Sequence, residues 1–153
     1  MRGGSLKLSG VLVNGNIQVT NADTFSIDTY TTIKGNLQVM SLSSGNQAST
    51  ICDSTVYGDL QVHKNGGTIQ IGTSSPSRCG GNVILGNLDI HNNAGVTSIF
   101  SNTVSSNLHD HNNDGATQVY GNTVIGALQC EANALINGGS NSALRKLGQC
   151  SRF

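Results

Sequence analysis

Thr32-Ile33-Lys34-Gly35-Asn36-Leu37-Gln38-Val39 is the stretch that decides the fold, because its second half returns along the chain. The pentapeptide recurs as Gly15-Asn-Ile-Gln-Val19, Gly58-Asp-Leu-Gln-Val62, Gly86-Asn-Leu-Asp-Ile90, Ser106-Asn-Leu-His-Asp110 and Gly126-Ala-Leu-Gln-Cys130. Ahead of it lies a second element, seen in Thr32-Ile33, Thr55-Val56, Val83-Ile84, Thr103-Val104 and Thr123-Val124. Behind it comes an asparagine in one slot, Asn65, Asn93, Asn113 and Asn133, then a third apolar element around Ile27, Ile71, Ile99 and Val119. Self-similarity at a period near 20 residues is the mark of a solenoid.

Numbering the first pentapeptide residue as slot 1, the apolar residues fall on slots 3 and 5, and slots 2 and 4 are polar. That alternation reads as a half-buried strand, with odd slots inward and even slots outward. A unit of this size cannot bury its own apolar row, whereas units stacked about 4.8 Å apart share one core. The fold expected is all-β: a right-handed parallel β-helix, or β-solenoid, of about six coils of roughly 20 residues. A propeller blade would need a period of about 40 residues, and a leucine-rich repeat would need more leucine.

Composition agrees. The 153 residues include 20 Gly, 18 Asn, one Pro and no Trp, too few strong helix formers for long helices. Eight basic against eight acidic residues, and 10% charged overall, argue against nucleic acid or an anionic membrane as partner. No apolar run is long enough to span a bilayer. Residues 1–5, Met-Arg-Gly-Gly-Ser, read as an appended leader, and residues 6–153 as a single solenoid domain.

Departures from the 20-residue spacing place insertions near 41–54 and 72–82, the second holding Pro76. Cys52 and Cys79 lie in these stretches, while Cys130 takes an inward slot and Cys150 follows 20 residues later. Four cysteines allow three pairings. Position favours Cys52–Cys79 with Cys130–Cys150, in an oxidising setting outside the cytoplasm, and no pair has metal or redox Cys-x-x-Cys spacing. The absence of an Asn-x-Ser/Thr sequon favours a bacterial origin. Ser142-Ala-Leu-Arg-Lys-Leu-Gly148 reads as a helical turn within a C-terminal cap over 141–153, which leaves the N-terminal edge the better candidate for self-association.

Candidate site residues gather on one strand. His63, His91 and His111 all take slot 6, with Glu131 one coil further on, and His109 takes slot 4 beside Asp89 and Gln129. These six, His63, His91, His109, His111, Asp89 and Glu131, define a candidate binding face. Imidazoles one coil apart would share a divalent metal only after rotamer adjustment, with Asp89 the one carboxylate at hand, so the His63, His91 and His111 column is a weak metal candidate and no cofactor is expected. Asp110 breaks the apolar slot 5, which calls for a local register shift or a buried partner. The asparagine ladder Asn65, Asn93, Asn113, Asn133 reads as structural, since asparagine tolerates left-handed corners and its amides can bond along the axis.

No catalytic residue is assigned. Polysaccharide-active β-helices need clustered carboxylates beside a basic group, yet Lys34, Lys64 and Arg78 stand apart, and only Asp59 and Asp89 come near each other among the outward carboxylates. Ice binding would need two matched threonine columns; Thr32, Thr55, Thr103 and Thr123 form one, broken at Val83.

The segment Val124-Ile-Gly-Ala-Leu-Gln-Cys130, with Asn133, Gly138-Gly-Ser-Asn141 and Gly148-Gln-Cys150, resembles the tail of secreted bacterial β-solenoid proteins of uncharacterised function, which end in Gly-Asn-x-Gln-Cys and a final Gln-Cys. The resemblance covers about 30 residues. It implies an extracellular β-solenoid and a Cys130–Cys150 pair, and it brings no activity with it. The chain departs from it at Ala127, where asparagine is usual, and in Ala143-Leu-Arg-Lys-Leu147. The reading is a non-enzymatic secreted or surface-displayed module, structural or adhesive, presenting an Asn/Gln/His face to carbohydrate, a cell surface or its own kind. A polysaccharide lyase or hydrolase is the alternative, and an ice-binding protein ranks third.

Overall fold

A computed structural model describes residues 4–45, 47–73 and 79–153. Pro76 and Arg78, and the first three leader residues, lie outside them. The chain is a parallel β-solenoid of about seven turns, its strands forming one seven-stranded and one twelve-stranded sheet. Every strand pair is parallel, and most join residues about one repeat apart, such as Leu88 with Leu108 and Ile69 with Thr97. Each complete turn visits three columns: a first strand such as Thr97–Phe100, a two-residue strand such as Thr103–Val104, and the pentapeptide strand such as Leu108–His111.

The inward row is the expected one. Leu37, Val39, Leu60, Val62, Leu88, Ile90 and Leu108 are fully buried, and Ile33, Val56, Ile84 and Val104 of the short column join them. Ile27, Ile51, Ile71, Ile99 and Val119 close the core from the first column. At roughly 25 cal/mol for each Å² of apolar surface removed from water, this single core is the main favourable contribution to folding.

Three polar ladders run along the stack, and each explains part of the repeat. In the first, Asn65, Asn93 and Asn113 are nearly inaccessible, and the carboxamide oxygen of each following asparagine accepts from both the backbone N–H and the side-chain Nδ2 of the one before it. The left-handed corner belongs to the preceding residues, Lys64, Asn92, Asn112 and Ala132, and not to the ladder residues as the sequence suggested. The ladder asparagines point inward because buried corner N–H groups require an acceptor that no strand supplies. Gln149 ends this ladder, its Oε1 accepting from the Asn133 N–H at 3.0 Å.

A second ladder, Asn82, Asn102, Asn122 and Asn141, does the same at the corner before the short column. The third uses slot 2. Asn16, Asn36, Asp59, Asn87 and Asn107 each accept the backbone N–H of the next coil's slot-2 residue, at 2.7–3.2 Å. Slot 2 therefore points along the axis, not outward. This dictates the glycine of the pentapeptide: a Cβ on Gly58 would lie 2.0 Å from Asn36 Oδ1, and one on Gly86 2.5 Å from Asp59 Oδ1. Ser106, the one side chain tolerated there, accompanies the longest bond of the ladder, 3.2 Å. Ala127 ends the ladder, and the strand pairing with the last segment shifts register just there.

Both disulfides form, Cys52–Cys79 and Cys130–Cys150, with Cα separations of 5.4 and 5.2 Å. Cys52 sits at the corner after the strand Ser49–Ile51, and the extra residues of the 41–54 insertion fall before that strand. Ser142–Gly148 is a strand paired with Thr123–Glu131, in place of the helical turn expected; the helical turn is the short 3-10 segment Gln149–Arg152. One isolated turn of helix gains few hydrogen bonds, whereas the last coil offers a row of unpaired backbone groups to a strand. Among the described residues no helix is long and apolar enough to cross a membrane.

Candidate functional site

The pentapeptide strands carry two outward columns side by side. Slot 4 stacks Gln18, Gln38, Gln61, Asp89, His109 and Gln129; slot 6 stacks Thr20, Met40, His63, His91, His111 and Glu131. All six candidate residues of the binding face therefore meet on one surface. Because the inner slots are filled by Leu, Val and Ile, the outer side chains inherit the coil spacing as their own.

The two ends of this face differ. Toward the N-terminus, amides run up the stack: Gln18 Nε2 donates to Gln38 Oε1 at 2.7 Å, and Gln38 Nε2 to Gln61 Oε1 at 3.3 Å. In the middle, the imidazoles of His63, His91 and His111 lie nearly parallel, with centroids 4.8 and 5.1 Å apart. His63 is covered by its neighbours to 9% exposure although it stands on the outer face. Burial, then the adjacent His91, hold its pKa below the ordinary histidine value. Beyond His111, a shallow hollow is lined by His109, His111, Gln129 and Glu131, with Gln129 Nε2 donating to Glu131 Oε1 at 2.6 Å.

Asp89 is the pivot. Its Oδ1 lies 3.4 Å from His91 Nδ1 and 3.4 Å from His111 Nε2. Oδ1 and His91 Nδ1 are both shielded from solvent, and neither has an aligned hydrogen bond. His63 stands outside this group; its Nε2 faces Gln38 Nε2 at 3.1 Å. The convergent set is thus Asp89, His91 and His111 rather than the three histidines of the column.

The remaining candidates serve the fold. Asn65, Asn93, Asn113 and Asn133 are internal, so the face is one of Gln and His without Asn. Asp59 Oδ1 accepts both Asn87 nitrogens, which commits that carboxylate to the slot-2 ladder and leaves no free carboxylate pair with Asp89. Lys34 sits over the Tyr57 ring, on the short column. There the threonine column stands in register, Thr32, Thr55, Val83, Thr103 and Thr123, but the positions two further on are Lys34, Tyr57, Leu85, Ser105 and Ile125.

Asp110 keeps its register, paired with Ile90 and Cys130, and finds partners instead of shifting. Its two carboxyl oxygens accept from Asn113 Nδ2 and Asn133 Nδ2, each at 2.9 Å. His109 and His111 flank it on the opposite side of the strand, which rules out a dyad with either. Burial pushes its carboxyl up to about 7.

Sequence reasoning missed the second asparagine ladder and the axial role of slot 2. The signal was present, since Asn82, Asn102, Asn122 and Asn141 recur at nearly the period of the first ladder. Comparison with family models, with curated proteins and with solved structures gives no match.

Proposed function

We propose that this chain is a non-enzymatic, extracellular binding module of structural or adhesive character, whose rigid Gln/His face engages carbohydrate on a surface. The observation that carries the reading is the slot-4 row of solvent-accessible carboxamides mutually bonded from Gln18 through Gln61. Such a row offers hydroxyl-rich chains hydrogen-bond donors and acceptors at a fixed repeat, with little side-chain entropy left to lose on binding. Two disulfides support a secreted setting, and a bacterial origin accords with the resemblance of the C-terminal tail.

The alternative, a polysaccharide lyase or hydrolase, would draw on a carboxylate pair beside a base, and Asp59 is already committed to backbone. The threonine column lacks the matched neighbour that ice binding would use. A like subunit is a second candidate partner, because among the described residues the strand Ser5–Ser9 pairs only with Thr24–Asp28.

The test is retention on a panel of insoluble polysaccharides, including cellulose, chitin and peptidoglycan. Retention on at least one, lost in the Gln38→Ala/Gln61→Ala double variant and without release of sugar, is the expected result. Release of reducing or unsaturated ends would establish the enzyme in its place. Retention that is absent throughout, or indifferent to the double variant, would remove the glutamine face from the account.

A further inference from the structure

We propose that Asp89, His91 and His111 form a three-ligand site for a divalent transition cation of the zinc class, open to solvent on its fourth side. The inference does not depend on what the glutamine row binds.

Geometry carries the proposal. Tetrahedral bonds of about 2.1 Å set neighbouring ligand atoms about 3.4 Å apart. Asp89 Oδ1 lies 3.4 Å from His91 Nδ1 and 3.4 Å from His111 Nε2, so two edges of such a tetrahedron are already in place. The three ligand atoms all lie within 4.8 Å of one another, which leaves the nitrogen-to-nitrogen edge to close by a small ring rotation. The fold supplies this arrangement without a loop: slots 4 and 6 of one coil give Asp89 and His91, and slot 6 of the next gives His111.

Hydrogen bonding does not account for the same approach. Asp89 Oδ1 and His91 Nδ1 are shielded from water, face each other, and are both without an aligned partner. The coil-to-coil bonding that satisfies the asparagine ladders does not reach this pair. A cation between them would satisfy all three lone pairs at once.

The donor set also selects the cation. Two imidazoles and one carboxylate suit zinc, copper(II) or nickel(II), whereas calcium takes six to eight oxygens and copper(I) prefers sulfur. The supporting shell is present at His111, whose Nδ1 lies 3.1 Å from the Asn112 carboxamide. Metal at Nε2 places the ring proton on Nδ1, so Asn112 turns its amide to accept it with Oδ1 and fixes the ring. His91 is stacked between His63 and His111, so the ring that turns to close the nitrogen-to-nitrogen edge is His111, which borders the shallow hollow.

The test is calorimetric titration of the disulfide-bonded chain with zinc chloride, with calcium chloride as the contrasting probe. One zinc per chain and no calcium uptake are expected. Asp89→Asn and His111→Gln should each weaken zinc binding about tenfold or more, while His63→Ala and His109→Ala leave it unchanged. Nitrogen NMR of the unmutated chain supplies a readout independent of variant folding: zinc should move His91 Nδ1 and His111 Nε2, and leave the His63 and His109 nitrogens in place. Absence of zinc uptake, undiminished binding by Asp89→Asn, or a loss in His63→Ala equal to that in His111→Gln would each overturn the site.

Discussion

Replacing Asn113 by alanine is expected to lower the stability of the solenoid by about 3 to 6 kcal/mol, as read from urea denaturation at neutral pH. The Asn113 oxygen accepts from the Asn93 N–H and from Asn93 Nδ2, at 2.9 and 3.0 Å. Its nitrogen donates to Asn133 Oδ1 and to Asp110 Oδ1, both at 2.9 Å. All of these groups are buried, so water does not replace what the substitution removes. Each buried polar atom left without a partner costs about 1–3 kcal/mol; the Asn93 N–H and Asp110 Oδ1 are left so, and Asn93 Nδ2 keeps only Val62 O at 3.0 Å. Asn107→Ala is the informative contrast. That residue, itself partly exposed, holds a single backbone donor of the slot-2 ladder, the Ala127 N–H at 2.9 Å. A cost of about 1 kcal/mol is expected there. Equal costs at the two positions would show that the internal ladder has no special weight.

The second large effect is a loss of stability as pH rises, carried by Asp110. Burial in slot 5 raises its carboxyl from the ordinary 3.8 to about 7. The folded chain therefore holds a proton that the unfolded chain releases above about pH 4, so this contribution is complete below that pH and disappears as pH climbs through 7. A shift of this size corresponds to at most about 4 kcal/mol, and the two asparagine amides that favour the carboxylate reduce it to about 2–4 kcal/mol. The denaturation midpoint should fall between pH 4.5 and pH 8, and the fall should flatten in Asp110→Asn, which cannot ionise. His63 works in the opposite sense. Its depressed pKa favours the folded state above about 6.5 and withdraws that contribution in acid, so the Asp110 effect is read from the difference between parent and variant. Identical pH profiles for the two would contradict a buried, proton-holding Asp110.

The architecture was legible because a parallel stack repeats its constraint on every coil. Leu37, Leu60, Leu88, Leu108 and Leu128 mark one inward slot, and the same counting puts His63, His91 and His111 in register. What alternation could not convey was direction along the axis. Asn36 and Asp59 look like outward residues at slot 2, yet they reach to the next coil's backbone, since a corner has no partner strand to take its N–H groups. Ser142–Gly148 failed for a related reason: local helix propensity in Ala-Leu-Arg-Lys-Leu is a weak preference beside an open sheet edge. Within the site, the column of histidines could be read, but the turn of His91 and His111 toward Asp89 is a matter of rotamers that spacing does not fix.

Paired cysteine cross-linking tests the stacking most directly. Val83 and Thr103 are exposed register partners in adjacent coils, and Thr123 lies one coil beyond Thr103. In-register neighbours about 4.8 Å apart fall within disulfide reach, and residues two coils apart, about 9.6 Å, do not. Mild oxidation of Val83→Cys/Thr103→Cys should yield the new bridge by peptide mass analysis with both native disulfides intact, and Val83→Cys/Thr123→Cys should remain unbridged. Closure of the second pair, or failure of the first, would contradict a parallel stack in this register.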